Sequence, residues 1–345
     1  MPPRHSKLRI GIVGAGTIVK TLHLPALKKI PEVEVAAICN STYESSERFC
    51  VDYVPEATRY GNWAELVADP EIDIVWIGTP PYLHSTIAVS ALEAGKHVFS
   101  QAPMAMNLAE AEEMYAAAQR NPHLVTMVCP PTLGLRGSLF VQKLLAEDYL
   151  GHPHHLRVQS LSDIYLNPDT PPHWRQRDEL SGLNILTLGI YAEIVQRWFG
   201  PITDVFARQK TIHLIRHGYE IRIPDLVIVL CQFANGMEGV MEFSGVACFE
   251  KSDFLQVFGS EGTIAYDFAI DEITGGRTGE KENRQLQISP GLEQRWSVEE
   301  DFIAATRSPA TIQPQPSFAQ GLRCMRVVQA VADSIAQQRE IPIVE

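Results

Sequence analysis

The stretch that most restricts this chain runs from Lys7 to Lys20 and reads Lys-Leu-Arg-Ile-Gly-Ile-Val-Gly-Ala-Gly-Thr-Ile-Val-Lys. Leu8 to Val13 is a short, mostly apolar run, the pattern of a strand buried on both faces. Gly14-Ala15-Gly16 follows at once. From Thr17 on, apolar Leu22, Leu24 and Leu27 beside polar Lys20, Lys28 and Lys29 predict a helix. Strand, glycine turn and helix in that order form the setting of a dinucleotide fingerprint. Gly14 permits a tight turn, and Gly16 lets a pyrophosphate approach the free N–H groups of Thr17 and Ile18 at the helix start. Val19 holds the third fingerprint position, so the motif is G-x-G-x-x-V. The same residues also suit a strand-to-helix turn with no ligand.

At 345 residues the chain has length for two domains. A net charge of −12 argues against nucleic acid or an anionic membrane as the main partner. No run of 18 apolar residues exists in the sequence, and the opening Met-Pro-Pro-Arg-His-Ser-Lys lacks the apolar segment of a signal peptide. Six scattered cysteines without C-x-x-C spacing suggest reduced thiols, a cytoplasmic location and no metal site. His152, His154 and His155 cluster, but alternation along a strand separates His154 from His155.

Strands at Val33–Cys39, Ile72–Ile77, Val98–Ser100 and Leu124–Val128 alternate with helices. That rhythm predicts a doubly wound parallel sheet, an α/β Rossmann-type domain over residues 1–129. In such a fold the end of the second strand meets the adenosine ribose. An acidic residue there selects NAD; here stand Asn40, Ser41 and Thr42, which tilts the choice towards NADP. Ser41 or Thr42 also suits a helix N-cap. Residues 130–345 read as an α+β domain: a helix over Leu183–Phe199, strands at His155–Leu161, Val205–Gln209, Leu226–Phe233, Met237–Phe243, Phe254–Phe258 and Thr263–Phe268, and a closing helix over Gly321–Gln337 that can pack back on the first domain. Asn235-Gly236 marks a hairpin in an open, mainly antiparallel sheet.

Several blocks carry a family resemblance. Gly14 to Val19 with His23-Leu24-Pro25, Thr79-Pro80-Pro81 with His84, Ala91 to Val98, Trp174-Arg175, Asn235-Gly236, Gly259-Ser260-Glu261-Gly262 and Gly321 to Val328 resemble the Gfo/Idh/MocA family, the glucose–fructose oxidoreductase and inositol dehydrogenase group. The resemblance runs nearly end to end. It implies a Rossmann domain, a C-terminal sheet domain, an NAD(P) cofactor, a sugar or cyclitol substrate, and a homodimer or homotetramer assembled through the open sheet. It also implies that Thr79, Pro80, Pro81, His84 and the stretch Gln101-Ala102-Pro103 lie near the cofactor.

The departures fall at the chemistry. The family's Glu-Lys-Pro is Gln101-Ala102-Pro103, so the lysine that holds a substrate hydroxyl is a methyl group. The family's Asp-x-Gly-x-His is Thr187-Leu188-Gly189-Ile190-Tyr191, which makes Tyr191 the candidate acid and Thr187 its polar partner. Asn184, Thr187 and Tyr191, at spacings of three and four on the helix from Leu183, share one face, and Gly189 beside them allows close packing. A wet pocket or an internally bonded set both explain that stripe. Trp174 and Arg175 are candidate substrate contacts, since a guanidinium anchors anionic or hydroxylated groups; His173 and Asp178 read as a solvated loop. The leading expectation is an NAD(P)-dependent oxidoreductase of a small molecule. The alternatives are a cofactor-binding protein without turnover and a reductase of a conjugated substrate, like the biliverdin reductases, distant relatives that also lack the lysine.

Overall fold

The computed structural model describes residues 7–309 and 311–344. The opening residues 1–6, where a signal peptide was sought, lie outside them. The chain forms two compact units. The first is Met1–Pro130 with Ser297–Leu322, the second Pro131–Trp296 with Arg323–Glu345.

In the first unit the strands are β1 (Leu8–Val13), β2 (Val33–Cys39), β3 (Thr58–Tyr60), β4 (Ile74–Ile77), β5 (His97–Ser100) and β6 (Thr126–Val128). All pair in parallel, in the order β3-β2-β1-β4-β5-β6. Ile10, Ile12, Ile74, Val75, Trp76 and Ile77 have no exposed surface, as strands covered on both faces require. The edge strand β3 is absent from the reading of the sequence: Thr-Arg-Tyr is too short and polar to carry a period.

The helix entered at Thr17 widens into a π turn over Val19–His23 and continues as α1 (Leu24–Leu27). Leu24 N–H reaches Val19 O, five residues back, immediately before Pro25, which has no N–H to give. The turn brings His23 fully inside. Helices α2 (Tyr43–Tyr53), α3 (Trp63–Ala68), α4 (His84–Glu93) and α5 (Leu108–Arg120) follow. Asn107 caps α5 by accepting from Glu110 N at 3.0 Å, while Glu110 accepts from Met106 N.

The second unit holds α6 (Ser138–Ala146), β7 (Pro153–Leu161), α7 (Asp178–Ser181), α8 (Leu188–Phe199), β8 (Ile202–Lys210), β9 (Ile215–Arg216), β10 (Tyr219–Glu220), β11 (Leu226–Phe233), β12 (Glu238–Ser244), β13 (Ser252–Gly259), β14 (Gly262–Asp267), β15 (Glu272–Arg277) and β16 (Arg284–Gln285). A nine-stranded sheet runs β16-β15-β14-β13-β7-β12-β11-β8-β17, its last strand β17 (Ile341–Pro342). Among the described residues of this sheet, only β7 and β12 pair in parallel. Asn235-Gly236 forms the β11–β12 hairpin, with Gly236 at φ 83° and Asn235 Oδ1 accepting from Met237 N.

Between these segments, α9 (Val298–Arg307) belongs to the first unit, and α10 (Phe318–Gln337) begins there. A division at residue 129/130 therefore misplaces residues 297–322. The reason is packing: Phe302, with no exposed surface, sets its ring edge-on to Trp76 and Phe99. A second correction concerns the helix expected from Leu183. Leu186 stands at φ 46°, a conformation that no α-helix continues through, and α8 starts at Leu188 with Thr187 as its N-cap.

Candidate functional site

Gly14 has φ 86°, and a Cβ on it would lie 2.6 Å from Thr79 N, so the β1 turn closes only with glycine. A Cβ on Gly16 would meet nothing within 4 Å. The space over Gly16 is open, and the first-turn N–H groups of Thr17 and Ile18 have no preceding helical turn to bond. Beside this turn lies a cavity of about 520 Å³, lined by Gly14, Ala15, Gly16, Asn40, Ser41, Ser45, Asn62, Trp63, Thr79, Pro80, Tyr82 and Leu83 among others. No acidic or basic side chain lines it.

Beyond Thr17 and Ile18 at the helix start, the predicted cofactor residues divide into three groups. Gly14, Gly16, Asn40, Ser41, Thr79 and Pro80 line the cavity. Asn40 is the brace of the turn: its Oδ1 accepts from Ala15 N at 2.7 Å and its Nδ2 donates to Ser45 O. One of its two amide N–H donors is thus used within the turn. Thr42 is the N-cap of α2, accepting from Ser45 N at 3.1 Å. Thr79 Oγ1 is buried with no partner among the described residues, an orphan that a ligand hydroxyl or phosphate satisfies. Sequence reasoning missed Ser45, Asn62, Trp63 and Tyr82. The Gly61-Asn62-Trp63 turn after β3 was their one signal, and β3 itself was not read.

Pro81, His84, Gln101, Ala102 and Pro103 form the support of the neighbouring segment. His84 is fully buried, and its ring nitrogens face Thr79 O at 2.7 Å and Pro103 O at 3.0 Å. Burial depresses its pKa against the pull of those carbonyls. It ties the Thr79 turn to the Gln101–Pro103 segment. From the other side, Gln101 Nε2 meets His23 Nε2. His23 Nδ1 in turn contacts Glu299 Oε1 at 2.5 Å, and neither His23 nor Glu299 has exposed surface. A ring that donates from Nδ1 to a carboxylate presents a lone pair at Nε2, and an amide N–H meets it where a second carboxylate could not. The glutamate missing at position 101 is matched by a carboxylate on α9, on the opposite edge of one imidazole. Glu299 lies 276 residues from His23, so no local pattern announces it.

The second unit holds the expected catalytic pair. Tyr191 has no exposed surface, its ring lies beside Phe243 and Phe268, and its hydroxyl donates to Asp253 Oδ1 at 3.0 Å. Burial first, then the Asp253 charge and hydrogen bond, push its pKa far above the ordinary phenol value. Thr187 Oγ1 donates to Ser160 Oγ at 2.9 Å, and Asn184 Nδ2 to Ser181 O at 2.6 Å. Both hydroxyls bond to strands, Tyr191 to β13 and Thr187 to β7, as the internally bonded alternative for this stripe expects, and Asn184 lies before the helix. A Cβ added at Gly189 would lie 3.9 Å from Val328 Cγ2, ordinary van der Waals distance. Trp174 and Arg175 form one short 3₁₀ turn, with the guanidinium 4.2 Å from the indole ring centroid. Among the described residues no three His, Cys, Asp or Glu converge as a metal site, and no helix is long and apolar enough to cross a membrane.

Comparison with known proteins places this geometry. Residues 8–128 match the oxidoreductase family with an NAD-binding Rossmann fold, Gfo/Idh/MocA, and residues 139–265 match the C-terminal domain of the same family. Trans-1,2-dihydrobenzene-1,2-diol dehydrogenase of Oryctolagus cuniculus is 30% identical over 259 residues, 73% of each chain. Myo-inositol 2-dehydrogenase of Thermotoga maritima is 27% identical over 279 residues, 80% of each chain. The crystal structure of an NAD-binding oxidoreductase from Klebsiella pneumoniae superposes with a TM-score of 0.87 at 26% identity, covering 99% of this chain and 100% of that one. The glycine cradle, the parallel six-stranded sheet and both halves of the sequence agree: the chain belongs to the Gfo/Idh/MocA family of NAD-binding oxidoreductases.

Proposed function

We propose that this oxidoreductase interconverts a secondary alcohol and its carbonyl on a small sugar-like or cyclitol-like ring, with NADP(H) preferred over NAD(H). The observation that carries the reading is the open cradle over Gly16 beside a neutral, polar-edged cavity. Thr17 and Ile18 N–H would hold the pyrophosphate, and Ser41, Ser45, Asn62 and Trp63 the adenosine end. No carboxylate lines the cavity to claim both ribose hydroxyls, which supports NADP(H), and Ser41 is exposed there as a donor. When bound, the nicotinamide supplies or accepts a hydride. The protein's part is to hold it, through the His84 and His23 braces, against a segment in which Ala102 offers no ammonium.

Dehydrogenases named for a cyclic diol and for myo-inositol support a cyclic hydroxylated substrate. Ile228 and Leu230 on β11 are 40% and 52% exposed, an apolar stripe on the outer sheet face that supports a homodimer or homotetramer. Unpaired thiols at all six cysteines support a cytoplasmic location. The test is turnover at 340 nm with NADPH and NADP⁺ over a panel of cyclic polyols and their ketones. Turnover of at least one ring compound is expected. Tight cofactor binding with no turnover on any member favours the silent cofactor-binding alternative.

A further inference from the structure

The braces around the glycine cradle form a closed circuit of contacts within the first unit. Gly78 packs between the cradle and the π turn: a Cβ there would lie 2.6 Å from Val19 Cγ2 and closer still to Gly14 O. Its N–H donates to Val13 O at 2.7 Å. Thr79 follows, and His84 joins Thr79 O to Pro103 O. Gln101, on the same segment as Pro103, meets His23 Nε2. His23 ends the π turn that Val19 begins, and Lys20 N–H donates back to Gly16 O at 3.0 Å. The path runs from Gly14 through Thr79, His84, Gln101, His23 and Val19 to Gly16. Val19, His23 and His84 have no exposed surface.

Glu299 enters this circuit from far along the chain, on His23 Nδ1 at 2.5 Å. Its helix α9 lies in Ser297–Leu322, the stretch of the first unit whose chain neighbours at both ends, Trp296 and Arg323, belong to the second. Phe302 packs α9 on Trp76 and Phe99, and Arg307 donates to Glu32 O at 3.3 Å. Apolar packing holds the helix without fixing an imidazole. The carboxylate is directional, and it selects the face of His23 that Gln101 meets.

The cradle and the carboxylate act on one helical rod. Thr17, Ile18 and His23 lie on a continuous helical run, and Thr17 to His23 spans about 9 Å of it. A ligand on the Thr17 and Ile18 N–H groups fixes one end of the rod, and Glu299 fixes the other. Order imposed by one is order that the other no longer has to impose.

We propose that Glu299, acting through the His23 imidazole, is a positioning residue for the cofactor, so that the nucleotide and α9 each hold the first unit more tightly when the other is in place. The inference rests on the reading of the Gly14–Gly16 cradle as the cofactor site and adds its coupling to α9. Linkage makes the coupling reciprocal: loss of the carboxylate weakens the nucleotide, and the nucleotide tightens α9.

The experiment is hydrogen exchange read by mass spectrometry on the full-length protein, with and without saturating NADPH, comparing α9 with α5. No residue of α5 lines the cavity, so α5 reports the stabilisation that any ligand gives by mass action. Calorimetry measures NADPH affinity in the same samples. In the parent, NADPH should slow exchange in α9 at least about five-fold more than in α5. Glu299→Gln should bind NADPH at least about five-fold more weakly and lose that excess. A contact that only stabilised the fold would loosen α9 equally with and without NADPH and leave the excess unchanged. Glu299→Gln combined with Gln101→Glu returns one carboxylate and one amide to the imidazole, and should recover part of both effects. Equal slowing of α9 and α5 in the parent, an excess undiminished in Glu299→Gln, or no recovery in the double variant overturns the proposal. Absence of NADPH binding in the parent, which calorimetry reports separately, would instead overturn the cofactor reading itself.

Discussion

Exchanging Glu299 and Gln101 tests whether one buried imidazole couples two segments nearly two hundred residues apart. In the native arrangement His23 Nδ1 faces Glu299, and a ring that donates there accepts at Nε2 from Gln101. Glu299→Gln keeps the shape and removes the charge. A bond to a charged group contributes about 1.5–3 kcal/mol and a neutral one about 0.5–1.5, so the loss is roughly 1–2 kcal/mol. Gln101→Glu is worse. It sets a second carboxylate against the Nε2 lone pair of the same fully buried ring, a repulsion relieved only by placing a further proton and charge in the interior, a cost of about 3–5 kcal/mol. The double exchange returns one carboxylate and one amide, with the ring proton moved to Nε2. Its cost should be about 1 kcal/mol, well below the sum of the singles, giving a coupling of at least about 2 kcal/mol. Urea unfolding followed by tryptophan fluorescence reads this directly, since Trp76 lies 5.1 Å from the His23 ring. Additivity within about 0.5 kcal/mol would refute the argument that the ring transmits the choice of side chain.

Gly16→Val should fold like the parent, because its Cβ position is empty, yet weaken NADPH binding by about 100-fold or more; Gly14→Ala should instead cost about 2 kcal/mol or more of stability, since it combines φ 86° with a backbone contact at 2.6 Å. Calorimetry and thermal unfolding of the two variants separate these outcomes. Tyr191→Phe, which leaves Asp253 without its donor, is expected to lower stability by about 1–2 kcal/mol and turnover by less than about ten-fold. A fall of about 10²–10⁴ at unchanged stability would make Tyr191 the proton donor. Light scattering at low micromolar concentration should find a dimer or tetramer, and replacing Leu230 with Lys on the outer sheet face should shift it towards monomer; a monodisperse parent monomer counts against the sheet interface.

How much of this was legible in the sequence follows from the range of each interaction. The strand, turn and helix around Gly14 and Gly16 are local, and so are the Asn107 cap and the Asn235-Gly236 hairpin; all could be read from neighbours. Strand β3 escaped because an edge strand of three polar-leaning residues carries no period. The start of α8 escaped because apolar Leu183, Ile185 and Leu186 continue the helical pattern while the backbone at Leu186 turns left-handed. The partners of the site residues were out of reach. Asp253 lies 62 residues from Tyr191, and Glu299 lies 276 from His23. A polar stripe in a sequence shows that partners are needed, but not whether strand or ligand provides them. For Tyr191 and Thr187 the strands do.

The most direct measurement of the central claim is a titration of NADPH, and separately of NADH, into the purified protein, with Gly16→Val as the control. One site per chain should appear for both nucleotides, tighter for NADPH and lost for both in the variant. NADH bound more tightly than NADPH would remove the cofactor preference. No binding of either nucleotide by the parent, or equal binding by the variant, would contradict the assignment of the Gly14–Gly16 cradle as the cofactor site.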